Sequence, residues 1–266
     1  MPIDEILDLL TRGSVESLGL LPWSSNYTFL VRITPDAPSA PEPASGAADE
    51  LQGEAVDESS GESDGMLAVY KPRRGETPLW DFPEGTLCLR ELAAYLVSEA
   101  LGWRLIPPTV LRTGPHGFGS MQLFIENDPD QHFFTFREDP ANEPSLQRLA
   151  AFDLITNNAD RKSGHCLLGK DGRVWAIDHG ITFNADHKLR TVIWDYAGLP
   201  IPEDMLADLR RLRGDTGQQR PLGKALRQLL TDAEVAAFAR RIDSLLKIKT
   251  FPGPSRTQRS IPWPPV

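Results

Sequence analysis

Cysteine is nearly missing from this 266-residue chain, with only Cys88 and Cys166, far apart and without partners in sequence. Two such thiols support neither a disulfide framework nor a zinc module, and reduced thiols are expected. Long apolar runs are missing as well, so no segment is expected to span a bilayer. The first ten residues carry Asp4, Glu5 and Asp8 where a secretory signal places basic and then apolar side chains. A cytoplasmic protein is therefore the expectation. Basic charge is in short supply: 28 Lys and Arg face 37 Asp and Glu, a net charge of −9. Such a balance argues against nucleic acid or an anionic membrane as a general partner, although it leaves room for a local basic cluster within a cleft. No glycine-rich phosphate signature follows the first strand, with only Gly19 nearby.

What the chain does have is enough apolar material, 40% of residues, for a real core. Ile3, Ile6, Leu7 and Leu10 recur at helical spacing before Arg12-Gly13. Residues 15–20 and 27–33 read as a strand pair around the polar loop from Leu21 to Asn26. Between about Pro35 and Gly65 the composition shifts to Pro, Ala, Ser, Gly, Asp and Glu, which predicts a disordered insert at 35–65. Met66 to Tyr70 resumes the sheet and ends in Lys71. A helix over 90–101 stops at Gly102, and two strands flank the Gly114–Gly117 turn. Helical patterns then dominate, at 145–156, 205–213, 222–230 and 232–248, broken by a short strand at 174–177. The pattern predicts an α+β protein of two lobes: β-rich over 1–126, mainly helical over 127–250, with a Pro-rich tail at 251–266. Of the six tryptophans, Trp80, Trp103, Trp175 and Trp194 are assigned to the core or to lobe packing.

The densest polar stretch runs from Asp153 to His165, where an apolar helix gives way to a loop. Thirteen residues beyond His165 the short strand ends in Asp178, so a hairpin can gather Asp160, His165 and Asp178 around one volume. Hard carboxylate oxygens suit Mg²⁺, which fills its remaining positions with water and substrate phosphates. Here the sequence resembles a family. Asn158-Ala159-Asp160-Arg161 followed by Ala176-Ile177-Asp178-His179-Gly180 is similar to the catalytic and metal-binding loops of type II phosphatidylinositol 4-kinases, and HipA-type kinases have related loops. The resemblance is strongest over residues 148–184. It implies a protein-kinase-like fold and an ATP-dependent phosphotransferase using Mg²⁺, or Mn²⁺ in its place. Asp160 would then position or deprotonate the attacking hydroxyl, with Arg161 bracing it in the catalytic group, and Asp178 would hold the metal. Where the family has a second asparagine ligand this chain has His165, a neutral ligand that prefers softer metals; Asn158 is the accessory candidate.

Lys71 ends its strand in a context similar to the kinase Val-Ala-Ile-Lys motif, where the ammonium neutralises phosphate charge. Glu91 is its expected ion-pair partner and Glu99 the competitor. Ser24, Ser25 and Asn26 fall where a phosphate-covering loop belongs, and Gln122 to Glu126, with Gln122 and Phe124 as the contacts, where a hinge offers backbone groups to adenine. Lys188 and Arg190 stand ready for an anionic acceptor. The expected acceptor is a soluble hydroxyl compound: an inositol phosphate, another small alcohol, or a protein Ser or Thr. Two other readings are an ATP-binding pseudokinase or adaptor, and an enzyme that transfers AMP.

Overall fold

A five-stranded antiparallel sheet and a bundle of helices make up the protein, seen here in a computed structural model that describes residues 1–21, 26–35, 65–255 and 257–265. The expectations for Ser24, Ser25 and almost all of the insert lie outside the described residues. The sheet contains β1 (Ser14–Leu20), β2 (Phe29–Thr34), β3 (Met66–Pro72), β4 (Thr109–Gly114) and β5 (Gly117–Leu123), in the spatial order β1-β2-β3-β5-β4. Alternation along β2 and β3 sends Val31, Ile33, Ala68 and Tyr70 to one fully buried face. Met121 of β5 and Leu10 of helix α1 (Ile3–Arg12) complete that core, as the two-residue period of a strand requires.

Helix α2 (Leu87–Leu101) packs on β4 and β5 and also against the helical part of the chain. It ends at Gly102, whose φ of 72° supplies the left-handed cap that favours glycine. The second half holds α3 (Phe133–Phe136), α4 (Glu143–Thr156), α5 (Glu203–Asp215), α6 (Pro221–Leu229) and α7 (Asp232–Ile248). A small hairpin, β6 (Cys166–Leu168) with β7 (Val174–Ala176), sits among them. α4 is buried nearly all round, with Leu146, Leu149, Ala151, Phe152 and Ile155 at 0% exposure. Burying each large side chain stabilises the fold by about 1.5–3 kcal/mol relative to leaving it exposed.

α2 is the joint between the two halves. Arg90, 1% exposed, donates to the Thr182 carbonyl at 2.7 Å and to Glu234 Oε1 at 2.6 Å. Glu234 belongs to α7, where its other oxygen accepts from the Thr231 N–H in a capping box. Between sheet and bundle, Lys170 N–H donates to the Glu126 carbonyl and Asn127 bridges Gly169.

Three sequence expectations need correction here. Trp80 is not a core residue: it is 91% exposed. Gln122 is paired on both sides within the sheet, and its side chain donates to Thr109 Oγ1, buried. Phe124 N–H is already given to the Leu67 carbonyl, so neither residue has a backbone donor left for a base. The tail returns to the protein, with Trp263 left 77% exposed. The Ser260 carbonyl accepts from Thr191 N–H and Trp194 Nε1, and the Pro265 carbonyl from Ser163 N–H.

Candidate active site

The polar loop leaving α4 is shaped from below by one buried carboxylate. Asp153, 0% exposed, accepts from Arg161 Nε and Nη2 at 3.1–3.2 Å, from Asn158 Nδ2 at 3.1 Å and from Thr191 Oγ1 at 3.0 Å. A fully buried charge is tolerable only when paired and hydrogen-bonded in this way. Asn157, at φ 56°, turns the chain out of the helix. Arg161 is 0% exposed and donates further to the His165 and Ile177 carbonyls. It therefore holds the loop from beneath and reaches no ligand, which corrects its assignment to the catalytic group. Asn158 is likewise 0% exposed, with its amide on Asp153 and its Oδ1 accepting from Asp160 N–H at 2.9 Å. Both ends of its side chain are committed to the loop, so it is not placed to bind a metal.

Asp160 emerges from that scaffold half-buried, 3.5 Å from Lys162 Nζ. Burial raises its pKa above the usual carboxylate value, Lys162 opposes the rise, and the Asp178 charge adds to it. The hairpin register does the gathering: Cys166 faces Ala176, and Ile177 N–H donates to the His165 carbonyl at 3.0 Å. His165 consequently stands between the two acids. Its Nδ1 lies 2.9 Å from the Asp160 carbonyl and its Nε2 lies 3.4 Å from Asp178 Oδ2. Burial lowers the His165 pKa to about 4 despite the pull of Asp178, so the ring is neutral at pH 7. Nδ1 lies within reach of both the Asp160 carbonyl and the Lys162 N–H, so the backbone fixes the ring and leaves Nε2 facing Asp178, the orientation that metal-binding histidines share.

Asp178 occupies the left-handed region at φ 60° and is half open, at 47% exposure. Its Oδ1 accepts from Lys71 Nζ at 3.1 Å, and Lys71 is 2.5 Å from Glu91 Oε1. The pairing is with Glu91, on the first turns of α2, and not with Glu99. Glu91 Oε2 accepts from His179 N–H at 3.0 Å, so α2 grips the loop that carries Asp178. Lys71 holds Asp178 well below the usual carboxylate range, against the cost of burial. Burial works against the Lys71 charge, but the Asp178 and Glu91 carboxylates outweigh it and raise its pKa. Asn26, Tyr27 and Thr28 line the same cleft, with Asn26 Oδ1 accepting from Thr77 N–H at 2.7 Å. Gly75 permits that approach, because a Cβ there would stand 2.6 Å from Tyr27 Cβ.

Sequence reasoning missed the anchors. His179, 0% exposed, has Nε2 2.5 Å from Arg161 Nη2 and packs edge-on against Phe152. Burial, and next Arg161, lower its pKa and keep it neutral. The available signal was an acid, Asp153, placed within the apolar run 149–155. Among the described residues, no three or more His, Cys, Asp or Glu side chains converge to hold a metal ion on their own. Asp178 and His165 offer two donors, so any cation there takes the rest from a ligand and water, as Mg²⁺ does with nucleotide phosphates.

No protein-family model matches the chain. It is 42% identical over 232 residues to Protein Rv2133c of Mycobacterium tuberculosis (strain ATCC 25618 / H37Rv), covering 75% of this chain and 82% of that one. The chain belongs to the family of Protein Rv2133c. It is also 29% identical over 175 residues to phosphatidylinositol 4-kinase gamma 4 of Oryza sativa subsp. japonica, across 52% of this chain and 30% of that protein. Among solved structures, the Golgi casein kinase with Mn/ADP bound superimposes with a TM-score of 0.50 at 14% identity, over 92% of this chain and 74% of the other. The fold of this family member is thus α+β and protein-kinase-like, as the sequence resemblance implied. Among the described residues no helix is long and apolar enough to cross a membrane.

Proposed function

We propose that the protein is an ATP- and divalent-metal-dependent phosphotransferase acting on a hydroxyl of a soluble acceptor, with nucleotide between the β-rich part, 1–126, and the helical part, 127–250. The observation that carries this reading is Lys71 Nζ held between Glu91 and Asp178. A cation fixed this way is poised for phosphate oxygens, and it sits beside the pair of donors suited to a metal. The kinship to phosphatidylinositol 4-kinase gamma 4 and to a kinase structure holding Mn/ADP supports it, and the proposed relation extends to the HipA-type kinases.

Asp178 and His165 would hold the cation, which when bound supplies charge neutralisation at the β- and γ-phosphates. Lys71 binds and orients the phosphates, and Asn26 and Thr28 border them. Asp160 takes the proton of the acceptor hydroxyl as its oxygen bonds to the γ-phosphorus. The bond from that phosphorus to the β,γ-bridging oxygen breaks, and ADP leaves. Asp153 and Arg161 position Asp160 without touching the reacting atoms.

The test is label transfer with purified protein, Mg²⁺ or Mn²⁺, and a panel of hydroxyl acceptors. γ-Labelled ATP should mark an acceptor, and Lys71→Met and Asp178→Ala should abolish the transfer. Transfer of α-label instead would show an AMP-transferring enzyme, and nucleotide binding with neither transfer would show a pseudokinase.

A further inference from the structure

The lysines around the candidate site are paired: Lys71, Lys162 and Lys188 each face a carboxylate, the last Asp81 Oδ2 at 3.2 Å. Two arginines of α7 are not. Ala237, Arg240, Arg241 and Ser244 recur at spacings of three and four, which puts them on one face of that helix. With Ala185 and His187, from the segment that follows Asp178, they line a cavity of about 170 Å³. That volume is below the range of pockets that take whole metabolites and is ample for one tetrahedral oxyanion. Among the described residues its lining holds no Asp or Glu.

Arg241 is a half-buried cation without a counter-charge. Its Nε donates to the Ile155 carbonyl at 2.8 Å and its Nη1 to the Asn184 carbonyl at 3.1 Å, both neutral acceptors. Nη2 is buried and has no hydrogen-bond partner among the described residues. Burial, and next the charge of Arg240, lower the Arg241 pKa to about 10, with Glu234 opposing. Glu234 itself spends Oε1 on Arg90 and Oε2 on the Thr231 N–H. Arg240 has no hydrogen bond or ion pair among the described residues, Asp243 is taken by Arg213 at 2.8 Å, and Asp186 pairs with neither arginine. Burial, and then Arg241, also lower the His187 pKa and keep that ring neutral. A positive cavity thus stands in a chain of net charge −9. Two adjacent like charges, one of them partly desolvated, carry a free-energy cost that a bound anion would offset.

We infer that this cavity is an anion site for a phosphate group, separate from the nucleotide cleft, in which Arg240 and Arg241 neutralise the phosphate while Ser244 and His187 supply neutral donors at its rim. Guanidinium groups suit this role because their planar forks match the spacing of phosphate oxygens. The neighbouring segment cannot furnish the phosphate: between Asp178 and Trp194 its hydroxyl side chains are Thr182 and Thr191, 0% and 2% exposed. The group therefore arrives as the free ion or as a phosphate ester. Its arrival has a structural consequence. The Asn184 carbonyl held by Arg241 also accepts from Asn157 Nδ2 at 3.0 Å, so compensating Arg241 steadies the turn that leads from α4 to Asp160. The site stands whether or not the protein transfers phosphate.

Inorganic phosphate and phosphoserine are titrated separately into the full chain without nucleotide, with ionic strength held constant by chloride. The ring resonances of the five histidines are followed by NMR, and Tm is read in parallel. Wild type should show saturable binding in the millimolar range or tighter, with a shift at His187, none at His165 in the nucleotide cleft, and a raised Tm. Arg240→Gln should weaken binding by about tenfold. Ser244→Glu, which brings a carboxylate to the cavity, should abolish both the binding and the phosphate-dependent rise in Tm. Both positions are exposed, so neither variant threatens the fold. Lys71→Met should bind phosphate as wild type does. Tighter binding of phosphoserine assigns the site to an ester and tighter binding of inorganic phosphate to the free ion; either result supports the site. No saturable response in wild type, a response at His165 without one at His187, unchanged affinity in either α7 variant, or loss of binding in Lys71→Met overturns it.

Discussion

The Lys71–Glu91–Asp178 cluster and the Asp153–Arg161–His179 cluster use the same kinds of group at different depths. In the first, Lys71 is 22% and Asp178 47% exposed, although Glu91 is only 3% exposed, and the Asp178 carboxylate faces His165 Nε2 across 3.4 Å. In the second every member is at 0% exposure and the carboxylate is saturated with donors. Saturated charges hold a loop, and charges left with open valence are available to a ligand. That difference separates the residues that shape the site from those proposed to work in it, although Asp160 and Arg161 are adjacent in sequence.

The sharpest way to break this comparison is to mutate one member of each cluster. Asp153→Ala leaves the buried Arg161 without its counter-charge and should cost about 3–5 kcal/mol of stability in denaturant unfolding. Lys71→Met leaves the buried Glu91 carboxylate without its ammonium and should also cost stability, though less than Asp153→Ala because the half-open Asp178 is solvated, and it should abolish phosphate transfer; equal destabilisation by the two would erase the distinction. A second contrast lies at the joint. Glu234→Ala strands Arg90 and should cost about 3 kcal/mol, whereas Arg90→Met with Glu234→Leu should recover most of that loss, because an apolar pair can replace a buried ion pair. Deleting the chain from Thr257 onward removes the tail carbonyls on Ser163, Thr191 and Trp194. At about 0.5–1.5 kcal/mol for each hydrogen bond, a lowered Tm is expected together with slower transfer, since Ser163 and Thr191 support the loops of the site.

The smallest effect concerns Glu99, which lines a separate cavity behind α2 with Arg104 and Trp175. Burial raises its pKa in the folded state, with Arg104 opposing. A raised carboxylate pKa means that the unfolded chain gives up this proton first as pH rises, so stability is lost between the ordinary and the folded value. Glu99→Gln should therefore raise Tm slightly at pH 7, and the gain should vanish at a pH below the ordinary glutamate value.

Much of this architecture was legible because it depends on local periodicity. The apolar spacing of α1 and the glycine after α2 placed those elements, and the apolar runs at 27–33 and 66–70 placed β2 and β3, whereas which face is buried came from the fold. The order Lys71, Glu91, Asp160, Asp178 also suggested one site, and the fold brings Lys71, Glu91 and Asp178 into contact. What could not be read was which polar side chains are already satisfied. Asn158, Arg161 and Gln122 carry the right chemistry for a site but spend it on Asp153, on loop carbonyls and on Thr109, partners that only the tertiary fold supplies. Trp80 shows the converse: its type suggests a core, while Leu79 and Phe82 take the inward positions of that loop.

The most direct measurement is thermal unfolding with ADP and Mg²⁺, each alone and together, for wild type and Asp178→Ala. Because Asp178 and His165 supply only two donors, the account predicts a shift in wild type that needs nucleotide and metal together and disappears in the variant. An equal shift in Asp178→Ala, or no shift in wild type, would contradict it.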